Sequence, residues 1–370
     1  AAAFGRRGFE TRVADLEESG QALDRLGEEI AGERFDLVFS IGLFGELRDS
    51  AGRTVSEITG GPHVVQYVDY PLSHYFRLAS TPADTALLVV DPTHVDAVRS
   101  VYGPDRFRHV AFSPHGAIGE PHPIEPDAAA FMAARDIPVM FPGSLYKPGP
   151  VMWAEQSPAT RRVFDAAVEE ALACEFIPAL DALDHALDQH GGHITAQQRS
   201  DMRVNAFAVH ERVRSHRRVQ MVEAAAKAGF QMVIFGAGYQ DDAPQWENVT
   251  FGGQRPLAEI AEFMGRTQVV LNMNANFGQG SHERPLSAML AGAAAATDAS
   301  GFYEAEFGSG EIIQLRWMSL DEDLAALLAL LGDPGRLYDI AARGQARALA
   351  GHRWDHRVDA ILAAADAVRA

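Results

Sequence analysis

A chain of 370 residues, 47% hydrophobic and 22% charged, is long enough for two ordinary domains, each with a core of its own. The formal net charge of -18 argues against a phosphate-neutralising surface, so nucleic acid is not an expected partner, although an acidic chain can still hold an anionic nucleotide through a few local groups. No apolar run approaches the roughly 20 residues needed to span a bilayer, and the one cysteine, Cys174, permits no internal disulfide, which fits a reducing, cytoplasmic compartment.

Residues 1–10 read as a helix and 11–16 as a short strand. A Rossmann unit opens on a strand and a tight glycine turn, so the pattern implies a first strand upstream of Ala1, where a leader also stays open. Short apolar runs at 35–41, 63–68, 86–90 and 109–112 alternate with helical stretches at 21–31 and 93–102, the rhythm of a parallel sheet covered on both faces. Asp91 reads as the N-cap of the second of these helices. The proline-rich segment 121–126 marks a linker between a first domain over 1–125 and a second over 126–350. Strands are expected again at 137–141, 230–235, 269–273, 293–297 and 311–315, with helices at 256–264, 285–291 and 320–331. The acidic first turn of the last helix, Asp321 to Asp323, suits the helix dipole better than it suits a metal. Residues 151–229 carry only helical periodicity and are expected to form a helical insertion, which either packs or walls an acceptor site. Cys174 falls inside it and reads as a plain buried thiol. His185, His190 and His193 lie in the same insertion without the carboxylate or cysteine pattern of a zinc site, and no metal is assigned. The tail, 351–370, reads as a helix that can cross back to the first domain. The fold class is therefore α/β, two Rossmann-like doubly wound domains facing a cleft.

In such sheets ligands sit at the carboxyl ends of the strands. Gly143 and Ser144 can approach a phosphate through backbone N–H groups, with Lys147 adding positive charge; a plain strand-to-turn junction is the alternative. Gly236 and Gly238, followed by Tyr239, leave room for a base or ribose against the backbone, or form a tight turn with no ligand. The densest signal runs from Leu271 to Gly292: a strand, then a polar loop with Asn274 and Gly280, then His282, Glu283 and Arg284 at a helix start. Unpaired N–H groups with a guanidinium suit a diphosphate, and Glu283 suits sugar or ribose hydroxyls. The alternative there is structural, with Glu283 and Arg284 paired to each other and His282 capping the turn.

This stretch resembles the donor-site region of GT-B glycosyltransferases, especially the bacterial group similar to spore-maturation proteins with a glycosyl transferase family 1 domain. Glu283, Arg284, Ala291, Gly292, Thr297 and Asp298 match that pattern in place, and the Gly143–Tyr146 and Gly236–Gly238 elements are also similar. The likeness covers roughly residues 138–350 well and the first domain only in layout. It implies a hexosyltransferase-type enzyme. A nucleotide-diphosphate sugar would be the donor, a glycan, protein or small molecule the acceptor, and no cofactor or metal would be needed. One departure stands out: many retaining relatives carry a second glutamate where this chain has Ser287. Candidates for the acceptor base follow first-domain strands, namely Asp69, His74 and His115. A nucleotide-sugar epimerase, a two-domain binding protein and a non-catalytic scaffold are the competing readings.

Overall fold

The computed structural model describes residues 1–14, 20–30, 32–42, 45–146, 149–238 and 246–369. The chain divides into two compact units. One comprises residues 1–114, 195–207 and 354–370, and the other 115–194 and 208–353.

The first unit opens with α1 (Ala2–Arg6) and α2 (Gly20–Ile30). The expected strand at 11–16 does not form over 11–14, and Asp15 and Leu16 lie outside the described residues. Among the described residues no strand pairs with this stretch, and Val13 is 79% exposed. Then come β1 (Val38–Ile41), α3 (Val55–Thr59), β2 (His63–Tyr67), α4 (Tyr75–Ser80), β3 (Ala86–Val89), α5 (Pro92–Tyr102) and β4 (Val110–Phe112). The four strands are parallel in the order β1-β2-β3-β4. Alternate residues feed two cores, as the twofold repeat of a strand requires. Val65, Tyr67, Leu87 and Val89 pack with Leu78, Val98 and Phe107. Val64, Ala86 and Leu88 pack with Ile361, Ala364 and Val368 of the final helix. Asp91 caps α5 by accepting from the Thr93 amide at 2.8 Å, with Pro92 pre-set at the first helical position.

The second unit holds α6 (Ala128–Ala134), β5 (Ile137–Pro142), α7 (Pro158–Leu172) and α8 (Ala179–His190); α9 (Ala196–Arg203) belongs to the first unit. The long α10 (Ala206–Ala228) leads to β6 (Met232–Phe235), β7 (Val249–Gly253), α11 (Leu257–Gly265), β8 (Thr267–Asn272), α12 (Glu283–Leu290), β9 (Ala294–Asp298), α13 (Gly301–Glu306) and β10 (Ile313–Leu315). The helices α14 (Leu320–Leu331), α15 (Pro334–Gly351) and α16 (Val358–Arg369) close the chain, the last of them in the first unit. The insertion is helical as its periodicity indicates. Cys174, however, is only half-buried, because it lies in the turn just past the end of α7.

All six strands of the second unit run parallel in the order β10-β9-β8-β5-β6-β7. Numbered from β5 this is the doubly wound order in which the chain first moves one way from the central strand and then back past it. The reversal lies between β5 and β8, paired at Val139 and Val269. In doubly wound sheets the loops leaving the carboxyl ends of such a strand pair diverge, and ligands bind in the crevice between them.

Candidate functional site

The turn after β5 and the turn after β6 are closed on each other. The Leu145 amide donates to the Ala237 carbonyl at 2.9 Å, and the Ala237 amide to Ser144 Oγ at 3.2 Å. A Cβ on Gly236 would run into the Gly143 carbonyl and the Ser144 nitrogen, and one on Gly238, at φ 82°, into the Leu145 carbonyl and the Tyr146 ring. The space a Cβ on either glycine would need is filled by the neighbouring turn, which is reason enough for a glycine at both positions. At Gly143 a Cβ would meet the Phe141 ring at 3.0 Å, with Arg284 Nη1 next at 3.4 Å. Lys147 and Tyr239 lie outside the described residues. Tyr146 is 56% exposed beside this turn.

Arg284 joins the two sides of the crevice. Its Nη1 donates to Asn272 Oδ1 at 3.1 Å, at the end of β8. A second guanidinium arrives from α10, where Arg218 Nη1 donates to the Ser144 carbonyl at 3.0 Å while its Nε is buried without a partner. Burial, with Arg214 and Arg284 alongside, brings Arg218 down to about 9, so it stays cationic at neutral pH. Arg214, one helical turn away, reaches Glu211 at 3.0 Å. Neither Arg214 nor Arg218 stands out in the sequence. Both belong to the stretch that shows only helical periodicity, and it is the packing of α10 against the β5 turn that reveals them.

His282 is the N-cap of α12, and its neighbours fix its tautomer. Nδ1 touches Glu283 Oε2, and because an ionised carboxylate only accepts, Nδ1 carries the proton. Nε2 lies 3.1 Å from Arg284 Nη2, which only donates, so Nε2 accepts. Burial and Arg284 lower the His282 pKa, in keeping with a neutral ring. Burial alone would raise the Glu283 carboxyl; His282 and Arg284 outweigh it and hold Glu283 far below the usual carboxylate range. The Arg284 amide, 3.4 Å from Nδ1, therefore faces a donor, and Pro285 has no N–H at all. The start of α12 thus gathers an imidazole, a carboxylate and a guanidinium in mutual contact. Its imidazole partner His115 lies against the His282 ring, centroids 5.7 Å apart at 29°, with its amide donating to Ser281 Oγ at 3.2 Å.

The loop from Asn274 to Gly280 is braced from within. Asn274 Nδ2 donates to the carbonyls of Phe277 at 2.7 Å and Gly280 at 3.1 Å, and its amide to Asp298 Oδ1 at 2.5 Å. The side chain of Asn274 is therefore committed to the loop. Ala275 and Asn276 take left-handed φ values of 50° and 64°, a conformation that costs a non-glycine residue about 1–2 kcal/mol. Tyr303 accepts the His282 amide at 3.0 Å and donates to Asn274 Oδ1 at 3.3 Å, tying loop to helix start. Thr297 and Asp298 work from below: Asn272 Nδ2 donates to Thr297 Oγ1 at 3.0 Å, and burial pushes Asp298 up to about 6. Ser287, in the place of the second glutamate, is buried and accepts the Ile118 amide at 2.9 Å.

Asp69 and His74 belong to the first unit, where Asp69 Oδ2 lies 3.8 Å from His74 Nε2 and both side chains are open to solvent. Among the described residues no group of three or more His, Cys, Asp or Glu could hold a metal ion, and no helix is long and apolar enough to cross a membrane.

Comparison with known proteins gives likenesses of different depth. No curated protein matches the chain. Among solved structures it resembles WaaG, a glycosyltransferase involved in lipopolysaccharide biosynthesis, at 12% identity and TM-score 0.47 over 98% of this chain and 92% of that one. It also resembles a sucrose-phosphate synthase from Thermosynechococcus elongatus, at 13% identity and TM-score 0.46 over 93% and 76%. Residues 214–363, which carry Arg214, Arg218, the loop after β8 and the whole of α12, match the family model described as Glycosyl transferase-like.

Proposed function

We propose that the chain is a GT-B glycosyltransferase that moves a sugar from a nucleoside-diphosphate donor to a hydroxyl of a glycan, protein or small-molecule acceptor. The observation that carries this reading is the pair Arg218 and Arg284, set at the switch point of a doubly wound sheet with Arg214 behind them. When the bond from the sugar's anomeric carbon to the diphosphate breaks, negative charge builds on the leaving oxygens. Guanidinium groups already fixed by Ser144 and Asn272 stabilise that charge without reorganising. They do so in place of a metal ion. Glu283 spends one oxygen on His282 and keeps Oε1, 3.8 Å from Arg284 Nε, for ribose or sugar hydroxyls. His115, stacked on His282, is assigned to the sugar.

A thermal-shift screen against nucleoside mono- and diphosphates and nucleotide-sugars, run with and without EDTA, tests the proposal. Stabilisation by the diphosphates of one base, unchanged by EDTA, is expected; silence across the panel sinks the reading.

A further inference from the structure

Three arginines on α10 divide their labour. Arg214 and Arg218 belong to the guanidinium cluster, whereas Arg217 is 2% exposed and turned to other partners. Its Nη1 donates to Asn276 Oδ1 at 3.0 Å, and its Nη2 to the carbonyls of Ala171 at 2.9 Å and Cys174 at 2.7 Å. The guanidinium carbon also lies 5.0 Å from the centre of the Trp317 ring. A buried cation is costly unless its donors are satisfied, and here they are spent on neutral oxygens from two segments, the end of α7 with its turn and the loop after β8.

Those segments meet at one turn. Glu175 accepts the amides of Trp317 at 2.8 Å and Met318 at 2.9 Å, anchoring the α7–α8 turn to the chain before α14. The next residue, Phe176, fills the space over Gly278 so closely that a Cβ there would overlap its ring. Between these supports stand Ala275 and Asn276 in left-handed conformations that the backbone alone would not favour.

We infer that Arg217 is a positioning residue: with the α7–α8 turn it holds the loop 274–280 in the shape that presents His282 and Arg284 to the donor. The inference rests on the donor-site reading above, and it gives the helical insertion a role in that site.

The experiment compares Arg217→Met, Arg217→Lys, Asn276→Gly and the double variant Arg217→Met/Asn276→Gly in the full chain. Amide hydrogen exchange is followed over residues 274–282, and affinity is measured for the tightest binder among ADP, GDP, UDP and dTDP. In Arg217→Met, exchange in the loop should rise at least about tenfold and nucleotide affinity fall about tenfold, while exchange in β5 and β6 is unchanged. Glycine takes a φ of 64° unaided, so adding Asn276→Gly should restore most of the affinity lost. Arg217→Lys keeps the charge without the fork and should fall between wild type and Arg217→Met. Unchanged loop exchange in Arg217→Met overturns the inference, as does a parallel fall in affinity and melting temperature that Asn276→Gly leaves untouched. If the wild type binds none of the four nucleotides, the donor-site reading fails, and loop exchange alone decides the role of Arg217.

Discussion

Arg218 Nη1 donates to the Ser144 carbonyl at 3.0 Å, which fixes a long side chain of α10 against the turn that follows the central strand of the second sheet. The bond leaves the buried Nε without a partner, so the guanidinium is held in place with donor capacity unspent. Replacing Arg218 by Met keeps the length of the stem and removes the charge. Loss of one or two charge-assisted hydrogen bonds, about 1.5–3 kcal/mol each, should weaken nucleoside-diphosphate binding at least tenfold. Calorimetric titration of the wild type and variant checks this, and equal affinities would remove Arg218 from the site.

Arg284 differs because it also holds the protein together. Truncating it to Ala leaves Asn272 Oδ1 and His282 Nε2 without their donor, at a cost of about 1–3 kcal/mol for each buried acceptor left unsatisfied. Arg284→Ala should therefore lower both diphosphate affinity and melting temperature. In Arg218→Met the loss of affinity should exceed the loss of stability. Parallel thermal melts and titrations of the two variants separate these effects.

Acid should destabilise the first unit through His63. Burial lowers its pKa from the usual 6.5 to about 4, and its Nε2 meets Ser40 Oγ at 2.8 Å. A depressed histidine contributes stability that is fully present above pH 6.5 and is lost as pH falls through about 4, roughly 3 kcal/mol in all. His63→Gln can hydrogen-bond the same hydroxyl and does not titrate. Denaturant melts from pH 7 to 4 should show a shallower decline in this variant than in the wild type.

Asp298 acts with the opposite sign in the second unit. Burial raises its carboxyl from 3.8 to about 6, so the folded state holds this proton more tightly than the unfolded chain does. Stability from this group is greatest below pH 3.8 and falls by about 3 kcal/mol as pH rises through about 6. Asp298→Asn keeps an acceptor for the Asn274 amide and removes the titration. The variant should gain stability over the wild type as pH rises from 4 to 7, which the same melts would show.

Much of this architecture is legible in the residues. Apolar runs bounded by glycine, proline or aspartate locate nine of the ten strands found among the described residues, and Asp91, an expected cap, caps α5. The strand Val249–Gly253 escaped notice: a threonine and two glycines break its apolar run, and at the sheet edge only part of it is buried. Residues 11–14 err the other way: a short strand is expected there, and among the described residues no strand pairs with them. At the site, the cluster His282, Glu283 and Arg284 announced itself by density of polar residues ahead of an apolar helix. Arg214, Arg217 and Arg218 did not, because a run of arginines on a 23-residue helix gives no sign of which face it buries. The glycines after β5 and β6 were visible as glycines, yet their reason, two turns closing on each other, exists only in three dimensions.

Guanidinium groups at the junction of β5 and β8 that recognise a diphosphate must tell it from a monophosphate. The most direct measurement compares a nucleoside diphosphate with its monophosphate by calorimetric titration, in EDTA, for wild type and Arg218→Met. The second phosphate should improve wild-type affinity at least about tenfold, and most of this advantage should disappear in the variant. Equal affinity for the two nucleotides in the wild type, or an advantage that survives Arg218→Met intact, would contradict it.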